Sequence, residues 1–441
     1  MTGDVVLRAA ARAAMPRDQV WRNAVLDGPF VDKRELYRLP WSDHDNPIGW
    51  LEMTDACDLA CKGCYRKQLE GHKPFEQIQE EIRFFQRHRN TDCIVMAGGE
   101  PTIHPRFLDV VADIDRLGMK PHMCTGGQRL LDPGFLKEMR KAGMEGMGVH
   151  VDAKQGRPGW SGATETELCA LREEMAHKIA EAGGMNVGFG ITVFRDTLED
   201  VPELARWTVE NRRLVGGFSF ITYRGARIVP GMEWTMHGQP VEIRPEDIGY
   251  ATREEQEAIS ITAYDVMRRI QEGVPEWVPC CYLGGTQSHK SVKWLIGVLF
   301  ATRGKVLGSM GRKTMELAQA LHHLAHGTYL VYSRGKHFPR AALLAGLVDP
   351  RIRRMWKHYL RNPLRIFQRL QGVGFGIVQA PDVLADGSID MCDSCPDMTV
   401  YDGEFINSCR MDEYRLYGGP LTPIHRDASS PAAPKDEPVE V

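Results

Sequence analysis

The sequence predicts an α/β protein: a partial (β/α)6 barrel with a mainly helical insert and a small, loop-rich, cysteine-containing C-terminal region. Two observations carry this. Short apolar runs alternate with helical patterns from residue 49 to 225, the mark of βαβ units and a parallel sheet. Six such units follow one another before the alternation stops near Pro230. The 441 residues, 43% hydrophobic and 26% charged, have an ordinary globular composition, which excludes collagen-like, low-complexity and wholly disordered classes.

Each element has its own reason. Residues 1–45 read as a helical or irregular lead-in. GWLEMTDA (49–56) is a strand that enters a cysteine loop. Ile78, Ile82 and Phe85 sit at helical spacing, so 76–89 is a helix. CIVMAGGEP (93–101) is a buried strand ending in a Gly-Gly turn, with a helix over 104–117. MKPHMCTGG (119–127) is a strand and turn, with a helix over 132–142. GMGVHVDA (146–153) and MNVGFGITVF (185–194) are strands, followed by helices over 164–182 and 198–211. GGFSFITYRG (216–225) is the sixth strand. The expected divisions are a lead-in (1–45), the barrel (46–230), a mainly helical basic region (231–377), a late cysteine region (378–424) and a tail (425–441). The tail lacks aromatics and is rich in Pro, Asp and Glu, so disorder is expected.

Charge is unevenly placed. Residues 287–372 hold 16 Lys and Arg against two acids, Glu316 and Asp349; the block is +14 in a chain of −3, so the rest carries −17. RIRRMWKHYLRNPLRIFQR (351–369) interleaves basic and apolar residues, and Arg353, Arg354 and Lys357 are its candidate surface contacts. Such a segment suits an anionic membrane surface. A solvated helix face packed on the acidic barrel is the plainer reading, and nucleic acid is the weakest of the three. The longest apolar runs, 294–300 and 341–348, fall far short of the roughly 20 residues of a membrane span. The amino terminus shows no apolar signal region. With an odd number of cysteines, 11, this leads to the expectation of a reducing, cytoplasmic setting with peripheral membrane contact.

The cysteines carry the chemistry. Cys57, Cys61 and Cys64 follow the first strand as C-x3-C-x2-C. Soft thiolates in one loop suit an iron–sulfur cluster or zinc, and three of them leave one iron of a cubane open. Cys392, Cys395 and Cys409 form a second set that needs a fourth ligand, which either Cys280 or Cys281 would supply; Cys281 is preferred for its turn-like neighbours. Four thiolates make a closed auxiliary [4Fe-4S] site, or else a zinc site. Cys93, Cys124 and Cys169 are isolated and read as packing residues. His150 and Asp152 alternate with Val149 and Val151 and share one face of a strand.

CDLACKGCY resembles the cluster loop of the radical SAM superfamily, and Gly98-Gly99-Glu100-Pro101 resembles its GGE motif. CTGG (124–127) is similar to its TNG turn, with Gly126 in place of Asn, and VHVDA (149–153) to its SxD strand, with His150 in place of Ser. The resemblance covers residues 49–225. It implies a [4Fe-4S] cluster on Cys57, Cys61 and Cys64 that binds S-adenosylmethionine and cleaves it to a 5′-deoxyadenosyl radical. Expected contacts to S-adenosylmethionine are Tyr65, Gly98, Gly99, Glu100, Thr125, Gly126, His150, Asp152 and Thr192. Arg195 and Tyr223, near strand ends, are weaker candidates for substrate. Glu100 either accepts from the methionine amine or caps a helix. An electron donor such as flavodoxin or ferredoxin is implied. The layout resembles lipid-acting members related to tetraether lipid synthase, so the favoured substrate is a membrane lipid or other long apolar chain. The rivals are a peptide or protein maturase with an auxiliary cluster and a non-enzymatic metal-binding module.

Overall fold

A computed structural model describes residues 33–425 apart from 225, 228–231, 245–246, 255–257, 288–290, 333–336 and 385–386. The expected tail and most of the lead-in lie outside the described residues. Inside them, the six βαβ strands form as expected: β2 (Ile48–Thr54), β3 (Cys93–Gly98), β4 (Lys120–Thr125), β5 (Gly146–His150), β6 (Asn186–Val193) and β7 (Gly217–Thr222). They are parallel and lie in sequence order. The helices between them are α1 (Phe75–His88), α2 (Phe107–Arg116), α3 (Pro133–Lys141), α4 (Cys169–Ala182) and α5 (Val201–Glu210).

Period-two alternation sets the layers. Met147, Val149, Phe189, Ile191, Phe218 and Phe220 point outward into one large core with the helices. On α1, Ile78, Ile82 and Phe85 fill the same core. Helix α4 begins at Cys169, five residues later than expected. The preceding turns are held by Glu165, which accepts from the Ala153 amide and pairs with buried Arg172 at 2.5 Å.

The insert differs from expectation. Residues 231–377 are not mainly helical: KSVKWLIGVLF lies in β9 (Val292–Ala301), beside β8 (Cys281–Gly284) and β10 (Leu370–Gln379). The apolar run is continuous because β9 is a central strand with both faces covered, which mimics a buried helix in sequence. β10 pairs parallel to β7, and β9 antiparallel to β10. The first strand, β1 (Tyr37–Arg38), closes the far edge on β8, so part of the lead-in belongs to the sheet. The path β1-β8-β9-β10-β7-β6-β5-β4-β3-β2 is open, not a closed barrel. Helices α6 (Ala263–Gly273), α7 (Arg312–His326) and α8 (Pro350–Leu360) are the insert's helical parts. A second core of Leu39, Trp41, Cys281, Phe300, Met315 and Ile352 binds α7 and α8 to the extension. The late region holds α9 (Met411–Tyr417), and its strand Leu421–His425 pairs with Met232–Met236, so the connector after the barrel joins the C-terminal region.

Candidate active site at the carboxyl ends of the strands

The cysteine loop runs from the end of β2 to α1 and is closed at its base. Thr54 Oγ1 donates to the Gly71 carbonyl at 2.8 Å, and the Leu69 amide to the Asp55 carbonyl at 3.2 Å. Its far side docks on the loop after β5, where the Lys62 amide meets the Lys154 carbonyl at 2.8 Å and the Ala60 amide the Gln155 carbonyl at 3.2 Å. The Gln155 amide donates to Cys61 Sγ at 3.4 Å. Cys57, Cys61 and Cys64 are half-buried and within electrostatic reach of one another. Burial pushes the Cys57 thiol up to about 11 and the Cys61 thiol up to about 12, with the neighbouring thiols adding to the shift. Among the described residues, no three Cys, His, Asp or Glu side chains already converge at metal-ligand geometry. The donor set is nonetheless three soft thiols on one pinned loop, and it fits a cluster that takes three thiolates and displaces three protons.

Gly98 and Gly99 have a structural task at this turn. A Cβ on Gly99 would stand 2.0 Å from the Ala56 carbonyl oxygen, and one on Gly98 (φ +111°) 2.5 Å from that of Thr54. The Gly99 and Glu100 amides donate to the Thr54 and Ala56 carbonyls at 2.6 and 2.8 Å. The pair therefore seats the cysteine loop on β3. Glu100, 1% exposed, accepts four bonds: from the Thr102 amide (3.1 Å) and hydroxyl (2.5 Å), the Thr125 hydroxyl (2.7 Å) and the Gly126 amide (2.7 Å). It caps the turn after β3 and buckles it to the turn after β4. Three of these bonds end on Oε1 and one, from the Gly126 amide, on Oε2. Burial raises its pKa despite these donors.

His150, Asp152 and Thr192 do come together. His150 Nε2 lies 2.7 Å from Asp152 Oδ2 and 3.5 Å from Thr192 Oγ1, and the Thr192 amide donates to Asp152 Oδ2 at 3.3 Å. Burial opposes ionisation of Asp152, but the His150 contact wins and lowers its pKa. Tyr65 turns its hydroxyl to Glu52 (3.1 Å) and Trp50 (3.3 Å) on β2. Tyr223 packs against Gly63 in the cysteine loop, where a Cβ would meet its ring at 2.9 Å. Arg195 is exposed and donates to Ser260 at 3.1 Å.

Sequence reasoning missed two residues. Gln155 ties the His150 carbonyl (2.9 Å) to Cys61. Arg157, 3% exposed, donates to the Gly126 carbonyl (2.6 Å), Gln128 Oε1 (3.0 Å) and the His150 carbonyl (3.2 Å). Their signal is a Gly/Pro-rich loop at the carboxyl end of a parallel strand, where such sheets place functional side chains.

The late cysteines divide. Cys395 and Cys409 feel one another and the Asp397 carboxyl, and Cys395 bonds Cys392. Cys281 does not join them. It is 1% exposed in the second core beside Cys280, and its thiol bonds that neighbour. Cys392 instead bridges Gly285. Four positions along a strand separate Gly285 from Cys281, about 13 Å. The turn-like neighbours of Cys281 are strand β8. The late loop is anchored by Arg89, which donates to the Cys395 carbonyl at 2.5 Å, and by Arg66, 3% exposed, which bonds Glu52 (2.8 Å), Asp55 (2.9 Å) and Asp412 (3.2 Å). Arg66 follows Cys64 by two residues, so one guanidinium links the first cysteine loop to α9.

The basic block lies apart from this site. Arg351 and Arg353 spend their guanidinium groups on backbone carbonyls, Arg353 on Gly346 and Leu347 at 2.8 Å each. Arg354, Lys357 and Arg361 are exposed beside exposed Leu344, Leu347, Leu360, Leu364 and Phe367. Among the described residues, no helix is long and apolar enough to cross a membrane.

Comparisons with known proteins find similarity over part of the chain. A protein of Pyrococcus furiosus, "Tungsten-containing aldehyde ferredoxin oxidoreductase cofactor-modifying protein", is 27% identical over 173 residues, 36% of this chain and 47% of its own length. Fe-coproporphyrin III synthase of Methanosarcina barkeri is 25% identical over 193 residues, 41% of this chain and 46% of its own. This chain thus spans less than half the length of these curated relatives. Among solved structures, Streptococcus suis SuiB bound to precursor peptide SuiA aligns with a TM-score of 0.38 at 17% identity, covering 53% of this chain and 46% of that one. The radical SAM superfamily model matches residues 51–208, the stretch that carries the cysteine loop, the GGEP turn and the His150–Asp152 pair, and this part of the chain is a radical SAM domain.

Proposed function

We propose that this protein is a radical SAM enzyme that abstracts hydrogen from a substrate held over the inner face of the sheet. The observation that carries the reading is the seating of one pinned loop, with Cys57, Cys61 and Cys64, on Gly98 and Gly99 at the carboxyl ends of parallel strands. Those thiols would hold a [4Fe-4S] cluster, which, when bound, supplies the electron that cleaves S-adenosylmethionine to a 5′-deoxyadenosyl radical. The chain's own residues position and shield. Gln155 and Arg157 fix the loop after β5 against Cys61 and the Gly126 turn. His150, Asp152 and Thr192 offer a polar group beside it. Glu100 holds the turns, while Tyr65 and Tyr223 flank the loop. A one-electron reductant of the flavodoxin or ferredoxin type is required.

A second cluster on Cys392, Cys395 and Cys409 is part of the proposal, supported by their mutual reach and their link to the first loop through Arg66 and Asp412. Contact with an anionic membrane is also proposed, supported by exposed apolar residues in the same segment as exposed Arg354, Lys357 and Arg361. The relatives' names point instead to cofactor substrates, and a peptide substrate is the remaining rival. Alanine at Cys57, Cys61 or Cys64 tests the core reading. Anaerobically reconstituted wild type should carry about eight irons, two cubanes, and form 5′-deoxyadenosine under reduction. Each variant should form none and keep about four irons. Undiminished 5′-deoxyadenosine would overturn the assignment, and zinc in place of iron would favour a metal-binding module.

A further inference from the structure

Over four strands, β5, β6, β7 and β10, the inner face of the sheet is nearly bare of side chains. Strand register sets Gly148, Gly188, Gly217 and Gly374 side by side on β5, β6, β7 and β10. The next row toward the cysteine loop continues from His150 through Gly190, Ser219 and Gly376. Glycine in a strand interior is costly, and where it recurs a backbone or a ligand comes close. On part of this face the backbone is the sheet's own: a Cβ on Gly217 would stand 2.4 Å from the Gly374 carbonyl oxygen, and one on Gly188 or Gly190 3.3 Å from the Gly217 or Ser219 carbonyl oxygen. The other three glycines have room among the described residues. A Cβ on Gly148 would find only Cys124 Sγ at 3.7 Å, one on Gly374 the Gly216 carbonyl at 3.9 Å, and one on Gly376 the Ser219 hydroxyl at 3.5 Å. All three neighbours are on the sheet or immediately flank one of its strands. Gly148 and Ser219 are exposed, and Gly188, Gly217, Gly374 and Gly376 half-exposed.

Strands lie about 4.8 Å apart and rows about 6.7 Å, so the bare floor measures roughly 14 by 7 Å. Its flanks are Cys124 on one side and Ile296 and Val298 on the other. Its polar end is His150 with Asp152 and Thr192. We propose that this floor seats a flat, largely apolar ring system of polycyclic or macrocyclic size, face down on four strands with its polar edge toward His150. The inference rests on the reading of this face as the substrate chamber of a radical SAM enzyme and narrows the substrate class. The ladder consumes the sheet's N–H and C=O groups, so apart from the Ser219 hydroxyl the floor offers a plane and no backbone hydrogen bonds. An extended peptide needs such bonds, usually at a sheet edge. A single alkyl chain leaves most of the width without contact.

The test compares 1-pyrenecarboxylate with the linear saturated acid of equal carbon number, titrated into the cluster-loaded enzyme. Wild type should bind the flat probe at least about tenfold more tightly. G374V and G376V place branched side chains where the Cβ has room, and each should weaken the flat probe about tenfold or more. G304V, at an exposed glycine with nothing within 4 Å, is the control and should bind as wild type does. Melting temperature and iron content establish that each variant is folded and loaded. Equal or tighter binding of the linear acid, or unchanged affinity in both floor variants, overturns the proposal. Absence of 5′-deoxyadenosine formation by wild type is a separate readout and would overturn the enzyme reading instead.

Discussion

Glu100→Ala separates two roles for the same carboxylate. A residue that binds the methionine amine would lose S-adenosylmethionine affinity with little effect on stability. A residue that buckles two turns would lose stability first. The structure shows four accepted bonds, two of them from the Thr102 and Gly126 amides, and a side chain 1% exposed. Alanine leaves those amides without an acceptor. An unsatisfied buried donor costs about 1–3 kcal/mol, while the two hydroxyls can rotate to other partners. Burial of the charged carboxylate is itself unfavourable, as its raised pKa shows, which pulls the sum toward the low end. The expected loss is about 3 kcal/mol. For a chain of this length that is roughly 3–4 °C in melting temperature. Thermal unfolding followed by circular dichroism, alongside calorimetric titration of S-adenosylmethionine, gives both readouts. A variant with wild-type melting temperature and abolished S-adenosylmethionine binding would refute the buckle and restore the ligand role.

Asp382, 5% exposed, is bonded by Lys293 at 2.7 Å and Arg224 at 2.5 Å, and these cations hold its carboxyl down to about 2 against an ordinary 3.8. A depressed pKa contributes stability that is full above the unfolded value and is lost as pH falls from there through the folded one, here about 2 kcal/mol. Wild type should lose that increment between about pH 5 and pH 1, and D382N should lack it at neutral pH; parallel pH–stability curves would refute the pairing. Cys281→Ala should retain about eight irons whereas Cys395→Ala should fall to about four, and the reverse result would return Cys281 to the ligand set. Replacing Arg354, Lys357 and Arg361 by Glu should strip most binding to anionic liposomes, each charge contributing on the order of 1 kcal/mol. Equal binding of wild type to neutral and anionic liposomes would refute the membrane surface.

The six parallel strands and their helices were legible because alternation and helical spacing are local properties of the chain. The triad Cys57, Cys61 and Cys64 was legible for the same reason, since all three cysteines lie within one loop. Period-two reasoning also placed His150 and Asp152 on one face, and they meet at 2.7 Å. Local pattern failed where both faces of an element are covered. Val292–Ala301 is a strand that reads like a helix, because a central strand loses its alternation when neither side meets water. Only tertiary structure decided the rest. Gly98 and Gly99 seat a backbone from the cysteine loop, and Glu100 spends its four bonds across two turns. Cys281 is carried away from the late cysteines by its place in β8. The row of glycines from Gly148 to Gly374 is scattered over more than 200 residues of sequence and exists only through strand register. Sequence fixes what faces a residue's own neighbours; hydrogen-bonded register alone fixes what distant residues share.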